Sequence, residues 1–368
     1  MRIVFAGGGT GGHVFPAIYL ANYFKKHWNA NCLFIGTKKG IESRKVPQAG
    51  FVVKHIWISG FHRRFDLRNL LFPLKLIVSL WQSKKELKAF KPNLVVGTGG
   101  YVSGPVLHQA IKMKITTIIQ EQNSYPGITT RMLSSKVDHV FVAYNEAVKY
   151  LKDKSNCSVI GNPIRQNLGQ VDKKIAYNFF GLNFKAVTIL VFGGSQGSRN
   201  LNKAIDNLLS TSAFKGAQLI WQTGNNEFDT YKKKYENSEF KNIHILPFID
   251  KMDYAYAVSD FVICRAGAMT ISELVAMNLP SILVPLPSAA ANHQYKNAKA
   301  LADAGAAMIV EDNASLTNGI ENAIEKLKSN NQMRKDIKEN MKQFYNPDAI
   351  EKMAETIDEV IKLKEKKN

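Results

Sequence analysis

A chain of 368 residues, 45% hydrophobic and 21% charged, is too long for one ordinary core and too apolar for a disordered polymer, so it should fold as two globular domains. A formal charge of +19 predicts a polyanionic partner: nucleic acid, an acidic membrane surface or a phosphorylated substrate. The alternative is that lysines such as Lys232-Lys233-Lys234 and Lys362 to Lys367 form no more than solvated helix faces. Cys32, Cys157 and Cys264 are far apart with no Cys-x-x-Cys pair, which argues against a disulfide framework or a zinc site and for a reducing compartment.

The segment Met1-Arg2-Ile3-Val4-Phe5-Ala6 runs straight into a glycine loop, without the apolar region of a signal peptide. No apolar stretch approaches the roughly 18 residues needed to span a bilayer, so a cytosolic chain is expected. Ile3–Ala6, Cys32–Ile35, Leu94–Val96, Ile115–Ile119 and Val140–Val142 are short continuous apolar runs, as in strands buried on both faces. Helical patterns separate them, which is the grammar of a parallel α/β sheet. Gly161-Asn162-Pro163 reads as a turn and a hinge. The grammar then restarts with a strand at Val187–Phe192, a loop at Gly193–Gly197 and a helix at Leu201–Leu209. Strands follow at Leu219–Trp221, Ile243–Leu246, Phe261–Ile263, Ile282–Val284 and Met308–Val310. From Asn346 the tail is helical and charged. The fold class is therefore α/β with two doubly wound, Rossmann-like domains, and ligand is expected in a cleft at the carboxyl ends of their strands.

Three glycine loops each follow a predicted strand: Ala6-Gly7-Gly8-Gly9-Thr10-Gly11-Gly12-His13, Gly97-Thr98-Gly99-Gly100-Tyr101-Val102-Ser103-Gly104 and Phe192-Gly193-Gly194-Ser195-Gln196-Gly197. Such loops let backbone N–H groups approach phosphate at a helix N-terminus. Gly7-x-Gly9-x-x-Gly12 matches the dinucleotide fingerprint, but the second strand ends Phe34-Ile35-Gly36-Thr37 without the carboxylate that would hold a ribose. A Walker A loop fails as well, because His13 and Val14 stand where Lys and Ser or Thr are needed. His13 opens a helix pattern, with Pro16 suiting the first turn. The positive end of the helix disfavours its protonated form, so it is either a base near pH 7 or a capping and packing histidine. Thr270-x-x-Glu273 matches a capping box; the alternative for Glu273 is a carboxylate that holds ribose hydroxyls.

Taken together, these motifs resemble the MurG family of N-acetylglucosaminyltransferases over nearly the whole chain. The resemblance rests on Gly8-Gly9-Thr10-Gly11-Gly12-His13-Val14-Phe15-Pro16-Ala17, Gly99-Gly100-Tyr101-Val102-Ser103-Gly104-Pro105 and Glu121-Gln122-Asn123. It continues in Gly161-Asn162-Pro163-Ile164-Arg165, Gly193-Gly194-Ser195-Gln196-Gly197, Arg265-Ala266-Gly267-Ala268-Met269-Thr270 and His293-Gln294-Tyr295-x-Asn297-Ala298. It implies a GT-B fold, two Rossmann-like domains facing a central cleft: an acceptor and membrane-facing domain at 1–162, a UDP-sugar domain at 163–345, and a C-terminal helix at about 346–368 that packs back on the first. It also implies peptidoglycan synthesis by transfer of N-acetylglucosamine from UDP-N-acetylglucosamine to the C4 hydroxyl of the muramoyl sugar of lipid I, which makes lipid II.

By that resemblance Ser195 and its loop amides meet the diphosphate, Glu273 holds the ribose, the Ile249 backbone reads the uracil and Gln294 reaches the sugar hydroxyls. Ala268, Met269 and Thr270 belong to the same donor site; Asn123 and Arg165 line the cleft. Thr10, Gly11 and Gly12 border it from the first domain with His13 as base, and Gly99, Gly100 and Tyr101 are candidates for the acceptor diphosphate. Ser288 to His293 is less polar than expected for this family, which puts the roles of Asn292 and His293 in doubt. An inverting displacement needs one base and no carboxylate nucleophile. There is no Asp-x-Asp, so the sequence makes no case for a bound metal or other cofactor.

Leu70 to Trp81 is apolar and includes Leu71, Phe72, Leu74 and Lys75; Lys84, Lys85 and Lys88 follow, and Arg63, Arg64 and Arg68 precede it. The stretch reads either as a patch that docks on an anionic leaflet or as helix core. The resemblance places the enzyme peripherally on the cytoplasmic face of the inner membrane, with wall-synthesis or division proteins as partners. Two rivals are a UDP-N-acetylglucosamine epimerase, which needs no lipid, and a basic nucleic-acid-binding protein. The second rests on charge alone, since no nucleic-acid motif appears and no nucleic-acid partner is expected.

Overall fold

The computed structural model describes residues 1–60, 70–166, 168–194, 196–236, 238, 240 and 242–366. Arg63, Arg64, Arg68 and Ser195 lie outside the described residues. The chain forms two units, one of Met1–Arg165 with Asn346–Asn368 and one of Gln166–Tyr345. Arg165 is thus the last residue of the first unit before the chain passes to the second.

The first unit is built on β1 (Arg2–Gly7), α1 (Gly11–Trp28), β2 (Asn31–Gly36), α2 (Glu42–Gln48), β3 (Val52–His55), α3 (Phe72–Phe90), β4 (Leu94–Gly99) and α4 (Gly100–Lys112). It continues through β5 (Thr116–Glu121), α5 (Ile128–Leu133), β6 (His139–Val142), α6 (Asn145–Val148) and β7 (Cys157–Val159). Its seven strands lie in the order β3-β2-β1-β4-β5-β6-β7, and every pairing is parallel. Side chains alternate along β1: Ile3 and Phe5 enter one core with Phe24 of α1, while Val4 and Ala6 enter the other with Val102, Val106 and Leu107 of α4. That two-sided burial is why the strand reads as an unbroken apolar run.

The second unit repeats the plan with α7 (Lys173–Phe180), β8 (Val187–Phe192), α8 (Arg199–Leu209), β9 (Ala217–Gln222), α9 (Phe228–Tyr235), β10 (Ile243–Leu246), α10 (Met252–Val258) and β11 (Phe261–Cys264). It is completed by α11 (Ala268–Ala276), β12 (Ser281–Leu283), α12 (His293–Asp303), β13 (Met308–Ile309), α13 (Leu316–Ser329) and α14 (Asn331–Met341). Its sheet, β10-β9-β8-β11-β12-β13, is also parallel throughout. In both sheets the strand order reverses beside the first strand of the unit, between β1 and β4 and between β8 and β11. Ligands of open α/β sheets bind at such a switch point, outside the carboxyl ends of the strands.

The chain ends in α15 (Ala349–Glu365), which belongs to the first unit. Ala349, Ile350, Met353, Ala354 and Ile357 join the same core as Ile3, Phe5 and Phe24. Lys364 then donates from Nζ to Asp138 Oδ2 at 2.6 Å and to the Ile115 carbonyl at 3.0 Å, fixing the far end of the helix to the sheet. Truncating the buried Met353 to Ala is expected to cost about 2–5 kcal/mol, the range for opening a cavity where a long apolar side chain stood. Urea titration of the variant should show an earlier transition for the first unit, with that of the second unchanged.

Candidate active site

At the first switch point two glycine turns leave adjacent strands and run directly into helices. The turn after β1 enters α1 at Gly11, with Thr10 as the extended N-cap residue. The turn after β4 enters α4 at Gly100, with Gly99 before it at φ +104°. A side chain at Gly99 would be strained there, and its Cβ would lie 2.7 Å from His13 Cδ2. His13 sits in the first turn of α1, half-buried against this second loop. Pro16 stands two residues further in than the sequence pattern places it, because the helix already begins at the glycines. There it has no N–H to give to the Gly12 carbonyl.

The geometry fixes the tautomer of His13. Its Nδ1 lies 3.0 Å from the Gly8 carbonyl and 3.2 Å from Thr10 Oγ1. A carbonyl only accepts, so Nδ1 carries a proton, and in the neutral ring Nε2 is the basic nitrogen. The helix start is held from behind by Thr98, whose Oγ1 donates to the His13 carbonyl at 2.7 Å. Gln122 ties Thr98 to the next strand end, donating from Nε2 to the Thr98 carbonyl at 2.9 Å and to Gln120 Oε1 at 2.5 Å. Gln120 in turn donates to Asn162 Oδ1 at 2.9 Å. This buried amide chain makes the ends of β4 and β5 one rigid shelf.

Two buried carboxylates brace the loops: Glu42, which no sequence motif contains, and Glu121, which opens the Glu121-Gln122-Asn123 motif without an assigned role. Glu42, 1% exposed, accepts from Gly9 N at 3.0 Å and from Thr37 N and Oγ1 at 2.8 Å. Glu121 accepts from both nitrogens of Asn123 at 3.1 Å, from Gly127 N at 2.9 Å and from Thr130 Oγ1 at 2.7 Å. Asn123 is thereby held by its own strand end. Tyr101, in the first turn of α4, lies over Gly9, where a Cβ would be 3.0 Å from its ring.

At the second switch point a cleft of about 520 Å³ opens between the loop after β8 and the loop after β11. Gly193, Gly194 and Gly197 form one wall, Gly267 and Thr270 the other, and Gln294 closes a side. The N-termini of α8 and α11 both end here, so two sets of unbonded amides and two positive helix ends meet one space. Gly197, at φ +76°, passes so close to the neighbouring loop that a Cβ would lie 2.0 Å from the Thr223 carbonyl. The floor is an ion pair: Arg265 Nη2 lies 2.6 Å from Asp312 Oδ2, with side chains 8% and 3% exposed. The same guanidinium donates to Ser198 Oγ from Nε and Nη2 and to the carbonyls of Val284 and Pro285 from Nη1. Asp312 also accepts from Asn200 Nδ2 at 2.8 Å.

Several expected positions differ. Glu273 is not part of a capping box: α11 begins at Ala268 with Gly267 as cap, so Thr270 and Glu273 both lie inside the helix. Glu273 Oε2 instead accepts from Tyr256 OH at 3.0 Å. The Ile249 N–H is already given to Gln222 Oε1 at 2.9 Å, which leaves its carbonyl as the polar group to offer. Gln222, itself buried, also donates to the Gly194 carbonyl at 2.8 Å and so struts the glycine loop against the Ile249 segment. Gln294 Oε1 accepts from Leu286 N at 2.9 Å. Ala268 and Met269 are buried behind the cleft wall. Ala291 and Asn292 both adopt left-handed backbone before α12, at φ +52° and +56°, and His293 Nδ1 lies 2.6 Å from the Ala290 carbonyl. Asn123 and Arg165 belong to the first unit.

The amphipathic order of α3 is inverted. Its buried residues are Ser79, Ser83 and Leu87, while Leu70, Leu71, Leu74, Ile77 and Trp81 are 50–76% exposed. The serines can face inward because their hydroxyls are satisfied by the helix itself, donating to the carbonyls of Leu76 and Ser79. Phe72 differs from the other patch residues in turning toward the core, and Lys75 reaches back to Ser59 Oγ at 3.0 Å. Among the described residues no helix is long and apolar enough to cross a membrane.

The chain matches the glycosyltransferase family 28 N-terminal domain over residues 3–142 and the family 28 C-terminal domain over residues 188–359. It is 42% identical to the UDP-N-acetylglucosamine--N-acetylmuramyl-(pentapeptide) pyrophosphoryl-undecaprenol N-acetylglucosamine transferase of Christiangramia forsetii, covering 99% of this chain and 98% of that one. The protein of the same name from Acetivibrio thermocellus is 40% identical, with 99% of each chain covered. Among solved structures, Acinetobacter baumannii MurG aligns with a TM-score of 0.76 at 27% identity, over 97% of this chain and 99% of that one. The ion pair under the second cleft offers a direct check of the architecture. Asp312→Ala strands a buried guanidinium and is expected to cost about 3–5 kcal/mol, seen in chemical denaturation as an earlier transition of the second unit.

Proposed function

The chain belongs to glycosyltransferase family 28, and from that premise we propose that it moves N-acetylglucosamine from UDP-N-acetylglucosamine to lipid I, giving lipid II for peptidoglycan. It is a glycosyltransferase with two Rossmann-like domains of the GT-B class. The choice of substrates follows from relatives that match it end to end and carry that activity in their names.

The second unit holds the donor. Its two helix N-termini and the amides of the Gly193–Gly197 loop, Ser195 included, receive the diphosphate, whose charge rises as UDP departs. The guanidinium of Arg265 is already neutralised by Asp312, so the helix ends and loop amides carry that task and the ion pair holds their geometry. Glu273, set by Tyr256, takes the ribose. The carbonyl of Ile249 meets the N–H edge of uracil, Gln294 and Thr270 meet the sugar, and Ala268 and Met269 back the wall. The half-buried Gly99, Gly100 and Tyr101 receive the acceptor and its diphosphate at the start of α4, and the exposed Thr10 with the half-buried Gly11 and Gly12 serves the UDP-N-acetylglucosamine.

The observation that carries the mechanism is the tautomer of His13, whose Nδ1 faces the Gly8 carbonyl. Its Nε2 removes the proton from the C4 hydroxyl of the muramoyl sugar. The hydroxyl oxygen forms a bond to the anomeric carbon from the face opposite UDP. The bond from that carbon to the β-phosphate oxygen breaks, and its electron pair leaves with UDP. One displacement inverts the centre without a covalent enzyme intermediate.

UDP release, followed with and without a lipid I analogue, tests the reaction. Release should require the acceptor and should fall about 100-fold or more in His13→Ala, while UDP binding stays intact. Release without any acceptor would favour an epimerase-like hydrolytic activity instead.

The inverted α3 supports peripheral docking on the cytoplasmic leaflet, where its substrate is anchored. Leu71, Leu74, Ile77 and Trp81 enter the acyl boundary, and Lys84, Lys85 and Lys88 meet anionic headgroups, each basic residue contributing about 1 kcal/mol. An Ile77→Asp, Trp81→Glu variant should lose sedimentation with vesicles rich in phosphatidylglycerol. Its turnover of a short-chain, water-soluble acceptor should be preserved.

A further inference from the structure

One peptide unit, Gly8–Gly9, is gripped at both ends. Its N–H, on Gly9, donates to Glu42 Oε2 at 3.0 Å. Its carbonyl, on Gly8, lies 3.0 Å from His13 Nδ1. A carboxylate, a peptide and an imidazole therefore form a single hydrogen-bonded line from the interior of the first unit to its carboxyl edge. Among the described residues Glu42 makes no ion pair. Among the described residues its carboxylate is met by backbone and hydroxyl donors, from Gly9 and Thr37. Three glycines make room for it: a Cβ at Gly8, Gly36 or Gly40 would fall 2.5, 2.4 or 2.1 Å from its side-chain atoms.

We propose that Glu42 is a positioning residue for His13, acting through the Gly8–Gly9 peptide; this rests on the reading of His13 as the base. An anion on the N–H side of an amide polarises it and makes its carbonyl a stronger acceptor. The carbonyl then holds the proton on Nδ1, which leaves Nε2 as the basic nitrogen of the neutral ring, and stabilises the positive ring once Nε2 has taken the acceptor's proton. A base needs a third group to fix its tautomer and orientation. Here a peptide stands between that group and the ring. The proton passes only from the acceptor hydroxyl to Nε2.

Glu42→Gln isolates the effect. Oε1 accepts two donors at 2.8 Å, so the amide oxygen stays on that side and its NH2 group faces the Gly9 N–H, donor against donor. With UDP-N-acetylglucosamine and a lipid I analogue, kcat should fall about tenfold or more, the scale for removing a group that orients a functional histidine. The KM for the donor, bound by the other unit, should stay within about twofold. In spectra of the protein labelled with 15N-histidine, the His13 ring nitrogens should shift toward a mixture of tautomers. In a His13→Gln background the Glu42→Gln change should cost nothing further, since residues acting as a unit are not additive. Thr37→Val removes one donor to Oε1 while keeping the charge, and should leave kcat within about twofold.

An unchanged kcat in Glu42→Gln, an equal loss in Thr37→Val, unshifted ring nitrogens or full additivity with His13→Gln would each overturn the relay. If His13→Gln itself turns over normally, the base assignment falls first. If His13→Gln is inactive and Glu42→Gln is normal, only the relay falls.

Discussion

A parallel strand can reach its neighbour only through a crossover, and each crossover returns a helix whose first amides are left unbonded at the carboxyl edge of the sheet. In this molecule that constraint acts twice. Where the crossovers diverge to opposite sides, between β1 and β4 and between β8 and β11, two adjacent helix starts stand with no helix packed between them. Each start is entered through glycines, which bring backbone close and leave the space above it open. The two edges are then specialised by their immediate neighbours. The first has a histidine in the opening turn of α1, backed by a carboxylate. The second has no such histidine; beneath it a neutralised guanidinium sets the loops at fixed spacing.

Buried polar groups do most of the positioning, and those that brace the glycine loops make several hydrogen bonds each. Glu42 takes three donors, Glu121 four, and Arg265 gives five hydrogen bonds to serine, aspartate and two carbonyls. Gln122 and Gln222 hold strand ends to neighbouring loops in the same manner. A partly satisfied group in such a place would cost about 1–3 kcal/mol, so these side chains have one arrangement available. Rigid supports of this kind let turns made of glycine hold a defined shape.

The doubly buried strands were legible because burial on both faces demands a continuous apolar run. The edge strands β3 and β7 were not. Val52 and Val159 are exposed, and their short segments carry no such run. The glycine loops and His13 are legible as a motif, but the pattern places the start of α1 two residues late because glycine is a poor helix former. Thr270-x-x-Glu273 resembled a cap only because spacing cannot tell the edge of a helix from its interior. Glu42, Gln222 and Asp312 left no local pattern, since each acts on a segment 5 to 47 residues away in sequence. The nearest signal for Glu42 was its place shortly after Gly36 and Gly40, the glycines that clear room for its carboxylate. The outward apolar face of α3 was equally open to two readings until its serines were found on the inside.

The position of α15 also governs the order in which the molecule can be completed. The second unit is one continuous stretch, Gln166–Tyr345, and holds all its own core residues. The first is interrupted by it, and Met353 and Ile357 fill the layer around Phe5 and Phe24 only from beyond that stretch. During translation the unit that begins to emerge first must therefore wait, with an apolar flank of α1 uncovered, until the whole of the other has been made. The unit that contains both chain ends is the last to close, so a prematurely terminated chain could assemble the Gln166–Tyr345 fold yet leave the other unit unfinished.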